Sequence, residues 1–219
     1  MKIDGPLLWE ALKDVPERTR QLDEIGYDGV YSLEGAHDGL LPLALAATAS
    51  NRLELSTQVA IAFSRNPLQL AYQLNDLHLL AEGRFFVGLG TQVKANIEKR
   101  FSMPWGKPVT RMREFVGALK AIFTCWNEGV PLNYESEYYQ HSKMQPMFTP
   151  KPNPYGAPDI VLGGVGKPMT RLAGELADGF VALPFHTPKF LEGYTLPALL
   201  EGLGASARRR EDFSITAMC

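Results

Sequence analysis

Cysteine is almost missing from this chain. Its 219 residues hold two, Cys125 and Cys219, too few for a disulfide framework and without metal-site spacing. Cys125 falls on the apolar side of a helical pattern and is expected to be an inert core thiol. Long apolar runs are missing too: nothing approaches the roughly 18 residues of a membrane span. The opening MKIDGPLLWE is too short and too polar for a signal peptide, so the expected location is cytoplasmic. Neither sign of charge dominates. The 22 Lys and Arg against 24 Asp and Glu give a net charge of −2, which leaves no electrostatic footprint for nucleic acid. The one dense basic run, Arg208–Arg210, reads as a surface helix end. No spacing of His, Cys, Asp and Glu fits a metal, and no Ser or Cys sits in a nucleophile elbow. At 45% hydrophobic and 21% charged residues, the composition is that of a globular protein.

What the chain does have is glycine in a telling place. Residues 159–180 read DIVLGGVGKPMTRLAGELADGF. The apolar run Ile160–Leu162 leads into Gly163, Gly164 and Gly166. Pro168, a helical pattern and a further apolar run after Asp178-Gly179 follow. A strand, a glycine loop and a helix in that order offer an anion free backbone N–H groups at the positive end of a helix dipole. Glycine lets a ligand approach the backbone without a Cβ in the way. The spacing is neither the dinucleotide fingerprint nor a Walker loop, and many such turns bind nothing.

Apolar runs alternate with helical patterns along the whole chain. Strands are expected at Ile3–Leu8, Asp28–Leu33, Leu53–Phe63, Arg84–Leu89, Asp159–Leu162, Phe180–Leu183 and Phe213–Met218. Helices are expected at Val15–Ile25 (closed by Gly26), Leu41–Ser50, Pro67–Leu80, Thr110–Trp126, Met169–Ala177 and Pro188–Leu203. Met112, Phe115, Val116, Leu119, Ile122, Phe123 and Trp126 recur at helical spacing and form a core stripe. Residues 129–158 break the rhythm and read as an inserted hairpin and loop, with strands at Leu132–Tyr139 and Ser142–Phe148. Strand–helix alternation predicts a parallel sheet. Seven strands fit a (β/α)8 TIM barrel better than an open sheet. Such a barrel takes about 250 residues, so a single domain over 1–219 that lacks its eighth unit is expected. A barrel left open in this way exposes strand edges and invites association.

Ligands of a parallel barrel sit at the carboxyl ends of its strands. Glu34, His37 and Asp38 follow the second strand and are the best acid–base candidates, because carboxylates beside a histidine hold its ring and stabilise its charge. The plainer reading is that Asp38 caps a helix beside a solvated loop. Ser64, Arg65 and Asn66 follow the third strand, and Thr91, Gln92, Lys94 and Asn96 the fourth. His186 follows the sixth. His78, inside a helix, and His141, in the hairpin, read as structural.

Four stretches, YDGVYSLEGAHD (27–38), LSTQVAIAFSRNP (55–67), GRFFVGLGTQVKANIEKRF (83–101) and GGVGKPMTRLAGELADGF (163–180), resemble the bacterial luciferase-like superfamily. Within it, the similarity is to the coenzyme F420-dependent oxidoreductases. The resemblance implies a TIM barrel holding F420, or alternatively FMN, in its mouth. It implies that Gly163, Gly164, Val165, Gly166 and Lys167 receive the cofactor phosphate. It also implies a cis peptide at Gln58–Val59, with Thr57, Gln58 and Val59 against the ring and Thr91 and Asn96 nearby. His37 aligns with a histidine close to the reactive ring carbon. Val93 stands where sugar-phosphate dehydrogenases of the family carry a glutamate acid, which leaves Glu34 or Asp38 to replace it. The function implied is hydride transfer between F420 and a small-molecule substrate. The alternatives are an FMN-dependent monooxygenase and an inactive binding barrel. The complete protein is expected to be a homodimer.

Overall fold

Short β-rich runs, each followed by a helix, can pair in parallel only if every helix crosses back over the sheet. The computed structural model, which describes residues 1–8 and 11–217, is built in this way. Its strands are β1 (Asp4–Pro6), β2 (Gly29–Ser32), β3 (Glu54–Thr57), β4 (Ala60–Ile61), β5 (Phe85–Gly90), β6 (Tyr134–Glu135), β7 (Gln140–His141), β8 (Ile160–Gly163), β9 (Gly179–Ala182) and β10 (Ser214–Ala217). The main sheet runs β1-β2-β3-β5-β8-β9-β10, parallel throughout, with β4 also on β5. It curls as part of a (β/α)8 barrel. Among the described residues β1 and β10 have no second strand neighbour. Met218 and Cys219 lie outside the described residues.

The helices are α1 (Val15–Ile25), α2 (Leu41–Ala47), α3 (Pro67–Leu80), α4 (Lys94–Lys99), α5 (Pro108–Glu128), α6 (Lys167–Leu176), α7 (Pro188–Phe190) and α8 (Leu196–Ala205). Local chemistry sets several of their ends. Gly26 closes α1 at φ 98°, a left-handed conformation open to glycine. The Asn66 side chain accepts the N–H groups of Leu68 and Gln69 at the start of α3, where Pro67 gives up no hydrogen bond. The seven apolar stripe residues of α5 are all buried, as their spacing predicts. They join one contiguous core with Leu55, Val87, Leu89, Leu162 and Phe180, and Cys125 lies in it.

Four expectations are corrected. The third strand is not continuous over 53–63. Leu55 pairs with Phe85 and Ala60 with Leu89, so five steps along this strand match four along β5. The extra residue makes a bulge. The insertion's hairpin is shorter than expected: β6 pairs with β7, and Ser142–Phe148 is not a strand but ends in a 3-10 turn at Pro146–Phe148. The stretch 188–203 is not one α-helix, because Leu191–Thr195 widens into π geometry between α7 and α8. Finally, Lys94 and Asn96, expected only as residues following the fourth strand, lie on a further helix, α4.

Candidate functional site

Parallel strands bring their carboxyl ends to one rim, so side chains far apart in sequence meet there. From the turn after β2, Glu34 accepts the Ile61 N–H at 3.1 Å and forms an ion pair with Arg65. Asp38 accepts the same guanidinium at 2.7 Å through Oδ2. Its Oδ1 takes the N–H groups of Leu40 at 2.8 Å and Leu41 at 3.3 Å, ahead of α2. Asp38 thus combines an ion pair with bonds to the turn that leads into α2; it lies two residues before the N-cap position, Leu40, and does not itself cap the helix. The Glu34 side chain is only 8% exposed, so both of its oxygens are committed in a poorly solvated place. Burial lowers the pKa of Arg65 from its usual value, yet two carboxylates beside it favour the charged form.

Over this cluster opens a cavity of about 370 Å³, lined by Glu34, Gly35, Ala36, His37, Asp38, Ser64, Arg65, Arg100 and Phe101. That volume lies in the range of small-molecule sites, about 300–1,000 Å³. His37 is exposed and lies on its wall. The structure thus brings Glu34, His37 and Asp38 together, and joins to them Arg65, Arg100 and Phe101. Sequence reasoning placed Arg65 at the rim without its partners and passed over Arg100 and Phe101, although both close the 83–101 stretch.

Beside the cavity, the bulge in the third strand carries a cis peptide between Gln58 and Val59. Thr57 bridges the break: its hydroxyl donates to the Gly88 carbonyl at 2.8 Å and accepts the Gly88 N–H at 3.0 Å. Its side chain is therefore occupied within the sheet. Gln58 turns the other way, donating to Ser56 Oγ at 3.1 Å and to Asp4 at 3.4 Å. Of the three residues, Val59 extends over the glycines of neighbouring strands. A Cβ on Gly90 would stand 2.7 Å from Val59, and one on Gly163 3.0 Å. Thr91 bonds within its own loop, to the Gln92 carbonyl at 2.9 Å, and Asn96 lies half-buried in the first turn of α4.

The glycine loop forms as its sequence predicts. Gly163 ends β8 and Gly166 caps α6, its carbonyl taking the N–H groups of Met169 and Thr170. Val165 is exposed, and the N–H groups of Val165 and Gly166 have no partner among the described residues. The Lys167 N–H donates to the Tyr194 hydroxyl at 3.0 Å, and its ammonium pairs with Glu201 at 3.1 Å. Tyr194 ends an aromatic stack that runs from Phe180 through His186 and Phe190. His186 is thus a packing ring here, with burial pushing its pKa down. None of residues 163–167 lines the 370 Å³ cavity. The rim carries two neighbourhoods, one charged and one built of main chain. Among the described residues no three His, Cys, Asp or Glu are placed to hold a metal ion, and no helix is long and apolar enough to cross a membrane.

The chain as a whole is similar to several known proteins. An uncharacterized protein of Mycobacterium tuberculosis is 45% identical over 216 residues, covering 99% of this chain and 63% of that protein. A putative coenzyme F420-dependent oxidoreductase of the same organism is 27% identical, over 89% of this chain and 58% of its own length. The solved coenzyme F420 dependent tetrahydromethanopterin reductase from Methanopyrus kandleri superposes with a TM-score of 0.81 at 20% identity, covering 99% of this chain and 64% of that one. The chain thus spans a little under two thirds of the length of these proteins. The family described as luciferase-like monooxygenase matches residues 2–219. With a parallel curled sheet, a bulge at 57–59 and a glycine loop ahead of α6 at one rim, and with the family model matched along its length, this chain belongs to the luciferase-like monooxygenase family.

Proposed function

We propose that this chain is the catalytic barrel of an oxidoreductase that moves a hydride between F420 and a small organic substrate. The observation that carries the reading is the pairing of two features at one rim: the glycine-lined bulge at Val59 and the open amides of Val165 and Gly166. Relatives named for F420 favour the deazaflavin over FMN. The fit is physical. Glycines at 164 and 166 leave the loop main chain bare, and a helix amino terminus favours negative charge. The open amides of Val165 and Gly166 would hold the phosphate, while Lys167 is engaged with Tyr194 and Glu201, and Val59 would back the ring. The deazaflavin, when bound, supplies the hydride-carrying carbon.

The chain's own residues then divide the remaining work. His37 lies exposed on the cavity wall and is the residue placed to give or take a proton. Glu34 and Asp38 hold Arg65 and frame the wall. Titrating purified protein separately with F420 and FMN, followed by fluorescence, tests the cofactor. Saturable F420 binding with FMN much weaker is expected, and the reverse order moves the reading to an FMN-dependent monooxygenase. If neither binds, the inactive barrel stands. Once a substrate is in hand, H37N is expected to lower kcat about 10²–10⁴-fold with F420 affinity unchanged.

A further inference from the structure

We propose that Arg100 is the specificity-determining residue of the 370 Å³ cavity and that the substrate it selects carries a carboxylate. The proposal deepens the oxidoreductase reading, on which it rests for calling this cavity a substrate pocket. Its charged lining consists of Glu34, Asp38, Arg65 and Arg100. Both carboxylates are committed. Glu34 serves Arg65 and the Ile61 N–H, and Asp38 serves Arg65 and the first N–H groups ahead of α2. Arg65 is committed to both acids and largely buried. A substrate ammonium entering here meets acceptors that already hold a closer cation.

Arg100 differs. It follows α4, is exposed, and has no carboxylate within 4 Å among the described residues. One guanidinium nitrogen donates to the Gly35 carbonyl at 3.2 Å, and the group lies over the Phe101 ring at 4.8 Å. Two contacts on a planar group limit its rotation, and most of its five N–H donors stay unused. A pre-set guanidinium fork matches a carboxylate through two parallel hydrogen bonds. His37 and Ser64 lie on the same lining and add polar contacts, while Phe101 and Ala36 add apolar ones. A small organic acid with an apolar body is the class this lining fits.

Ligand-observed NMR on the purified protein compares three isosteric pairs: benzoate with benzamide, hexanoate with hexanamide, and 3-phenylpropionate with its amide. Each carboxylate is expected to bind at least tenfold more tightly than its amide. R100Q is expected to erase that difference, and R100K to restore part of it. Arg100 is exposed, so the variants should keep the wild-type melting curve, which is checked on each sample. Equal binding within pairs, no binding of any carboxylate, or a preference that survives R100Q overturns the proposal. F420 titration of the wild-type protein separates the two readings. Carboxylate selection that depends on Arg100 without F420 binding keeps this inference as a property of the cavity and removes the cofactor reading. F420 binding without carboxylate selection removes this inference alone.

Discussion

Arg65 holds two acids from a different part of the chain, 31 and 27 residues away. Removing it leaves Glu34 charged, poorly solvated and unpaired. R65M is therefore expected to cost about 3–5 kcal/mol, read as a lowered denaturation midpoint. An unchanged midpoint would mean that water already serves Glu34. Thr57 allows a gentler test. T57V keeps the shape and removes both bonds to Gly88, leaving a buried N–H and carbonyl short of a partner. The expected loss is about 1–3 kcal/mol in urea unfolding. At this scale the sequence was half legible. It placed Glu34, His37 and Asp38 at one rim, because a short turn after a strand can only lie there. It did not show the acids committed to Arg65, because that contact depends on which strands become neighbours.

Elements were legible where a local pattern decides them. The helix over 67–80 has Asn66 and Pro67 to start it, and the stripe along α5 has only one face to bury. Elements shaped by their neighbours were not. The third strand read as one run from Leu53 to Phe63, since a bulge adds a residue without changing the apolar character of the segment. The helix from Pro188 read as continuous, since its π widening is a matter of packing. Packing between α6 and α8 gives the prediction that belongs here. The Gly202 backbone lies so close to the Arg171 carbonyl that a Cβ would overlap it, and Gly174 meets the Leu199 carbonyl in the same way. Backbone cannot yield as a flexible side chain can. G202A is expected to destabilise by about 1–3 kcal/mol or more, whereas G204A, with nothing within 4 Å, should be neutral or slightly stabilising. Thermal melts of the two variants compare them directly.

Across the whole molecule, buried His78 and half-buried His141 and His186 contribute to the pH response on the acid side. Burial lowers the pKa of His78, His141 and His186 from the ordinary histidine value of 6.5. Below that value the unfolded chain binds more protons than the folded one, so stability is highest at and above neutrality and falls as pH drops. Buried His78 contributes a slope of at most about 1.4 kcal/mol per pH unit between its two pKa values, and the half-buried His141 and His186 contribute less because solvent screens them. Urea midpoints from pH 8 to pH 5.5 should fall on the acid side, and H78L should flatten the fall. Asp4 acts in the opposite sense. Burial, then repulsion from Glu54, raises its pKa from 3.8. Its stabilising contribution is present below that value and is lost as pH rises through the folded pKa. D4N keeps an acceptor for Gln58 and should raise the midpoint at neutral pH.

The sequence by itself determined the order of strands and helices, the parallel barrel class, and the glycine loop ahead of α6. Those follow from periodicity, turn residues and capping, all of which act over a few neighbours. Tertiary structure alone decided which acids Arg65 holds, that Gln58 faces Asp4 rather than the mouth, and that Arg100 reaches the cavity over Glu34 with no acid of its own. The physical reason is that a charge chooses its partner by distance in space, and distance in space is fixed only once the strands have taken their order and register.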